Sequence, residues 1–387
     1  MDTVLIVTVV VTALAFDFTN GFHDTANAMA TSIATKALRP KVAVAMSAVL
    51  NLLGAFLSIS VAATIATGIV DAGVITPGIV FAGLVGAICW NLVTWLFGLP
   101  SSSSHALIGG VVGATLAAAG TGAIEFDGIL AKVLIPAVMS PVLAGTIALM
   151  ATAFAFKLTA RVDERRSEAA FKRGQVASAA LVSLAHGTND AQKTMGVITL
   201  ALISGGLLAP TAGPPLWVIV SAGSALALGT YMGGWRVIRT LGKGLTEITP
   251  AQGFAAEASS SAVILASSHF GFPLSTTHVC SGGILGSGLG RKLTGVRWGL
   301  AGRMAVAWLV TLPAAAVVGG LVTLVAAWIP GGAGVVVMAA LMVAFAATVY
   351  ALSRRDPVSA ETVNDPVESV TPEPLPAPQP VTARSAA

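Results

Sequence analysis

Polar residues are too sparse along most of the chain to define a wet helix face. Long apolar runs follow one another with short polar interruptions. A membrane helix needs about 20 consecutive, mostly apolar residues. The runs predict crossings at 3–35, 41–66, 76–98, 101–118, 128–156, 175–203, 217–235, 250–270, 273–290, 304–328 and 335–353. The expected fold is thus an all-α integral membrane protein of about eleven segments. Segment 3–35 is over-long for one span. Segments 101–118 and 273–290 are short and begin at prolines and hydroxyl residues, which predicts broken or re-entrant helices there.

Composition agrees with a bilayer as solvent. Of 387 residues, 55% are hydrophobic and 10% charged, which excludes an ordinary soluble enzyme. Membrane helices tolerate the 42 glycines and 19 prolines where close approach or a broken helix is wanted. Cys89 and Cys280 are far apart in apolar surroundings and imply no disulfide framework. Met1-Asp2-Thr3 lacks the basic start of a signal peptide, so the first segment is expected to remain as a helix.

Charge sets the expected orientation. Basic residues gather at Lys36–Lys41, at 157–173, at Arg236–Lys243, at Arg291–Arg303 and at Arg354-Arg355, and the alternate connections carry only Asp71, Glu125 and Asp127. The positive-inside rule then puts the N-terminus outside and the C-terminus in the cytoplasm of a multi-pass plasma-membrane protein, with Lys132 as the misfit. Residues 356–387, with seven prolines and few large apolar residues, are expected to be a disordered cytoplasmic tail.

An internal repeat divides the membrane part. Shifted by 173, Gly98-Leu99-Pro100-Ser101-Ser102-Ser103-Ser104-His105 falls on Gly271-Phe272-Pro273-Leu274-Ser275-Thr276-Thr277-His278. Seven of sixteen positions in 98–113 are identical. A shift of 166 places Gly21 and Asp24 on Gly187 and Asp190. Each copy holds five crossings, an odd number, so the copies should face opposite ways, as in secondary transporters with a midplane site. The expected division is a first repeat at 1–156, a cytoplasmic loop at 157–174, a second, inverted repeat at 175–330, an added helix at 331–355 and the tail.

An ionised side chain near the bilayer centre costs about 2.5–3.5 kcal/mol on the insertion scale. Asp17, Asp24, Asp190, Lys193 and Glu257 all fall inside predicted spans, so compensation or function must hold them there. Asp24 and Asp190, related by the repeat, are the candidates for a coupling cation or proton; Asp17 has Ser183 as its counterpart and is a weaker one. Ordinary pairing of Lys193 with an aspartate is the plain alternative. Each Pro-x-Ser-Ser/Thr-Ser/Thr-His segment starts a helix whose free N–H groups and hydroxyls, on Ser102, Ser103 and Ser104 and on Ser275, Thr276 and Thr277, can cradle an anion. Simple capping would also account for such serines. Asn27, Asn51, Asn91, Asn189 and Gln192 offer neutral polar groups inside spans, at least some of which should line a cavity. His105 and His278 are expected to orient neighbours; His23 and His186 flank the aspartates and remain open.

The segments Gly21-Phe22-His23-Asp24-Thr25-Ala26-Asn27-Ala28 and His186-Gly187-Thr188-Asn189-Asp190-Ala191-Gln192-Lys193, with the two hydroxyl segments, resemble the inorganic phosphate transporter family. The resemblance covers about residues 5 to 350. It implies import of phosphate by symport with a proton or sodium ion, with a divalent metal able to travel with the phosphate. It assigns substrate to the hydroxyl segments, Ser102, Ser103, Ser104, Ser275, Thr276 and Thr277, and the coupling ion to Asp24 and Asp190; Asn27, Gln192 and Lys193 are further candidates for substrate, and Asn189, Glu257 and Asn51 for the coupling ion. Asn51 stands where animal relatives carry a glutamate, and Gln192-Lys193 replaces Ala-Asn of the usual motif. No resident metal or cofactor and no nucleic-acid partner is implied; the partners are phosphate, the bilayer and a second copy in a homodimer. Other readings are a sulfate or other tetrahedral-oxyanion permease, a channel, and an intramembrane metalloenzyme built from His23, Asp24, His186 and Asp190.

Overall fold

A computed structural model describes residues 2–67, 69–70, 73–290, 296–329 and 332–365. Helices dominate them. In order they are α1 (Asp2–Ala34), α2 (Pro40–Gly54), α3 (Ser60–Thr67), α4 (Pro77–Leu96), α5 (Ser103–Ala119), α6 (Phe126–Ile129), α7 (Ile135–Thr159), α8 (Glu164–Ser204), α9 (Leu216–Met232), α10 (Trp235–Arg239), α11 (Pro250–His269), α12 (Thr276–Leu289), α13 (Trp298–Trp328) and α14 (Ala333–Ser353). The wide turn Leu130–Leu134 joins α6 to α7.

Among the described residues, five helices are long and apolar enough to cross a bilayer: Thr3–Ala34, α4, Phe126–Thr159, α13 and α14. A sixth is α9 with Trp235–Gly244, bent by 62°. The other predicted spans are short, interrupted or polar. Segment 41–66 is two helices, α2 and α3; α5 and α12 are short, at 17 and 14 residues; α8 and α11 carry Asp190, Lys193, Glu257 and a serine run. By contrast, the over-long first segment is one unbroken helix.

The outward faces of α7, α13 and α14 present Val138, Phe154, Leu309, Val317, Leu341 and Val343. Lipid is the solvent that tolerates such a surface. The middles of α1 and α8 are buried along with their polar residues. Backbone-to-backbone crossings hold these two helices in place. A Cβ at Gly21 would collide with the carbonyl oxygen of Leu226 in α9, and one at Gly187 with that of Asn51 in α2. In the same way Gly109 sets α5 against Leu312 of α13, and Gly282 sets α12 against Pro141 of α7. Small residues allow such approach where lipid gives no hydrophobic drive between helices. Gly282→Leu is therefore expected to destabilise the protein by about 1–3 kcal/mol or more, read as a lower melting temperature in detergent. Gly299→Leu, at a position with open space around it, should leave the melt unchanged.

Two expectations need correction. The loop expected at 157–174 is mostly helix: the connection is four residues, Ala160–Asp163, and α8 begins at once. Asp163 caps it by accepting from Arg166 N at 3.1 Å, and Glu168 pairs with Lys172 one turn on at 2.7 Å. Those charges mark a solvated helix end. The tail is also packed over its first ten residues. Arg236 donates to the carbonyls of Ser353 and Asp356, Lys41 pairs with Glu361 at 3.0 Å, and Val363 is buried. Hydrogen bonds from Lys41 and Ser359 pull the Glu361 carboxyl down to about 2, so the pair stays charged at physiological pH. Residues 366–387 lie outside the described residues. The basic clusters gather at this same end, where Lys243 donates to Ala34 O and Arg297 to Lys243 O.

Candidate functional site

The two hydroxyl segments form matching helix tips. Gly98 and Gly271 turn the chain with φ of 63° and 75°, conformations that favour glycine. Ser102 Oγ then accepts from His105 N at 3.1 Å, and Ser275 Oγ from His278 N at 3.2 Å. These two serines are thus used as N-caps. The hydroxyls of Ser103, Ser104, Thr276 and Thr277 are not used as caps, and the first-turn N–H groups have no acceptor within their own helix. The tips meet inside the protein: Ser104 Oγ donates to Leu274 O at 3.1 Å, and the rings of His105 and His278 lie 4.8 Å apart. All of these side chains are buried.

The histidines one turn in fix the tips. Pro141 has no N–H to offer the carbonyl four residues earlier, and that carbonyl, Ala137 O, accepts from His278 Nδ1 at 3.1 Å. His278 also stacks on Trp308, whose Nε1 donates to Pro100 O at 2.9 Å. One aromatic pair therefore ties α7, α12 and α13 to the start of the first tip.

Asp24 lies where both tips converge. Its Oδ1 is 2.6 Å from His23 Nδ1 and accepts from Ser103 Oγ at 3.2 Å. Its Oδ2 accepts from Thr276 Oγ1 and Thr277 Oγ1 at 3.4 and 3.5 Å. Asn27, one turn on, donates to the same two threonines at 3.4 and 3.0 Å. Asp190 is beside them. Its Oδ1 takes the Lys193 ammonium at 2.6 Å, and its Oδ2 accepts from Asn20 Nδ2 at 3.3 Å and shares the single Thr276 hydroxyl hydrogen with Asp24, also at 3.3 Å. Sequence spacing thus brought together Asp24, Asp190, Asn27, Lys193 and both tips.

Other candidates stand elsewhere. Gln192 Oε1 accepts from Val61 N at 2.8 Å and Ala62 N at 3.4 Å, so it caps α3 and does not reach the tips. The correction follows from the break between α2 and α3, which exposes N–H groups that a single span would have hidden. Lys193 touches the tips, but its contacts are to protein oxygens, Ser104 Oγ at 2.6 Å and Leu274 O at 2.8 Å. Asn189 donates to Ser268 Oγ at 2.9 Å and Phe272 O at 3.4 Å, holding the second tip from behind. Glu257 belongs to a second polar cluster, accepting from Thr31, Ser178 and Gln175 at 2.5, 2.6 and 3.2 Å. Asn51 donates to Thr230 Oγ1 at 2.8 Å and presents its Oδ1 to His186 Nδ1 at 3.1 Å. Residues that the sequence left unassigned complete the arrangement: Asn20, Thr94, Ser101, Thr31, Gln175 and Ser178. A polar side chain in an apolar run was the available signal for Asn20, Thr31, Thr94 and Ser178; Ser101 belongs to the first hydroxyl segment and Gln175 follows the charge-rich stretch.

The site can hold a cation. His186 donates its Nδ1–H to Asn51 Oδ1 at 3.1 Å, and its Nε2 lies 3.0 Å from Asp190 Oδ2, an ion pair when the ring is protonated and a ligand atom when it is neutral. Ligand atoms of Asp24, His186 and Asp190 lie within 4.8 Å of one another, a grouping that could bind a metal ion. Asp17 is fully buried, beside Thr194 and Asn20.

A lipid-facing shell around paired half-helices, with carboxylates and hydroxyls gathered inside, defines a helical membrane transport protein. The chain belongs to the phosphate transporter family, whose sequence pattern matches residues 20–319. It is 60% identical, over 93% of its length and 87% of the relative's, to a probable low-affinity inorganic phosphate transporter of Mycobacterium bovis. A protein so described from Bacillus subtilis is 43% identical, with 82% and 97% covered. A solved structure described as the sodium-dependent phosphate transporter superposes with a TM-score of 0.74 at 24% identity, over 84% of this chain and all of that one, and shares the fold. The protein is a transporter and not an enzyme.

Proposed function

We propose that the protein imports inorganic phosphate across the plasma membrane by symport with a cation, proton or sodium, and that the tips of α5 and α12 hold the anion. The observation that carries this reading is the convergence of Ser103 from one tip and Thr276 and Thr277 from the other on the same carboxylate, Asp24. Charge supports symport. Two buried carboxylates, Asp24 and Asp190, stand near one buried ammonium, Lys193, with a third buried acid, Asp17, beside them. An anion entering such a site needs accompanying positive charge. The Asp24–His186–Asp190 group is available to a divalent cation travelling with it. The equivalent glycine crossings at Gly21 and Gly187, and at Gly109 and Gly282, support two repeats, and the basic residues gathered at one end support a cytoplasmic face there with the N-terminus outside.

Phosphate keeps an acidic proton that can donate to a carboxylate; sulfate at neutral pH has none and meets only repulsion. In proteoliposomes, radiolabelled phosphate should accumulate against its gradient when a proton or sodium gradient is imposed. Arsenate should compete, and sulfate should compete at least about tenfold less well, because a missing donor leaves a buried acceptor unpaired. Equilibration without accumulation under either gradient would mean a pore; equal competition by sulfate would remove Asp24 as the discriminating group.

A further inference from the structure

Lys193 is fully buried and donates to three oxygens, Ser104 Oγ, Asp190 Oδ1 and Leu274 O, at 2.6, 2.6 and 2.8 Å. An ammonium has three N–H donors, so none is left for the transported anion. A lysine that gripped phosphate directly would keep one free. Its three ligands are a hydroxyl on the first tip, a carbonyl at the entry to the second, and the carboxylate of the second aspartate motif. One carboxylate with neutral hydroxyl and carbonyl oxygens is the donor set that hard metal cations take. The repeat gives this position a neutral counterpart, Asn27, whose amide bonds Thr276 and Thr277. The positive charge is present in one copy only.

We propose that the Lys193 ammonium is a tethered cation occupying the place a coupling sodium ion would take between the two tips, which makes phosphate uptake by this chain independent of sodium. The assignment rests on the transport reading above. It explains why both tips are joined through one side chain and why that side chain turns its donors away from the anion. The charged and titratable groups around it are Asp190 and His186 on α8, Asp17 and Asp24 on α1, and His105 on α5. Removing the ammonium while keeping Asp190 leaves an oxygen set with a net negative charge, suited to a free monovalent cation.

The test compares wild type with Lys193→Asn, the residue the first copy carries. Phosphate uptake is measured at one pH and equal ionic strength in sodium or choline chloride, and binding of radioactive sodium to each purified protein is measured without phosphate. Wild-type uptake should be the same in both salts. Lys193→Asn should lose at least about tenfold in choline, the scale of a lost buried charge partner, recover severalfold in sodium, and bind sodium that wild type does not. Sodium-stimulated wild-type uptake overturns the assignment whatever the variant does. So does a folded variant that works equally well in choline, or one that neither binds sodium nor responds to it. If wild type accumulates phosphate under no gradient, the transport reading fails instead, and the phosphate-free sodium binding still decides the role of Lys193.

Discussion

Asp24→Asn is expected to abolish coupled phosphate uptake in a protein that still inserts and melts as a folded unit. The substitution keeps the shape but removes the charge that accepts from His23, Ser103, Thr276 and Thr277. Losing a buried, hydrogen-bonded charge costs about 3 kcal/mol, or about a hundredfold in an equilibrium constant at 1.4 kcal/mol per tenfold. The amide also presents an NH₂ to hydroxyls that now donate, so the tips lose their common acceptor. Uptake into proteoliposomes, with the melt measured on the same preparation, checks both halves. Accumulation at wild-type level would remove Asp24 from the mechanism.

Asp190→Asn should be the more damaging change to stability. It strips the Lys193 ammonium of its carboxylate and leaves two neutral oxygens, Ser104 Oγ and Leu274 O, to hold a buried charge. Breaking a buried pair by removing one partner costs about 3–5 kcal/mol. Removing both partners costs far less, because no charge is then stranded. Asp190→Asn with Lys193→Met should therefore melt close to wild type while transport stays absent. A double variant as unstable as Asp190→Asn alone would show that the pair is not the source of the loss.

The site was partly legible in the sequence because lipid makes every buried polar residue conspicuous. Asp24, Asp190, Lys193 and the two hydroxyl segments interrupt long apolar runs, and the repeat links them in pairs. What stayed hidden was partnership across distance. Nothing local tells that Gln192 will cap α3, since that depends on a helix break after Gly54. Nor does spacing tell that Ser102 and Ser275 are used as caps while their neighbours face Asp24. The charge-rich stretch at 157–174 resembles a loop by composition, yet its residues are good helix formers with a proper cap. The start of the tail looked disordered because ion pairs with Lys41 and Arg236 lie far away in sequence. Helix counting fails for the same reason that the site exists: α8 and α11 are too polar, and α5 and α12 too short, to look like ordinary spans.

The most direct measurement is an anomalous-scattering map from crystals grown with arsenate, a tetrahedral stand-in for phosphate whose arsenic can be located without bias. One arsenic peak should lie between the first turns of α5 and α12, with its oxygens in hydrogen-bonding reach of Ser103 or Ser104 and of Thr276 or Thr277. A peak beside only one tip, or in the Glu257 cluster, would contradict a shared grip on the anion.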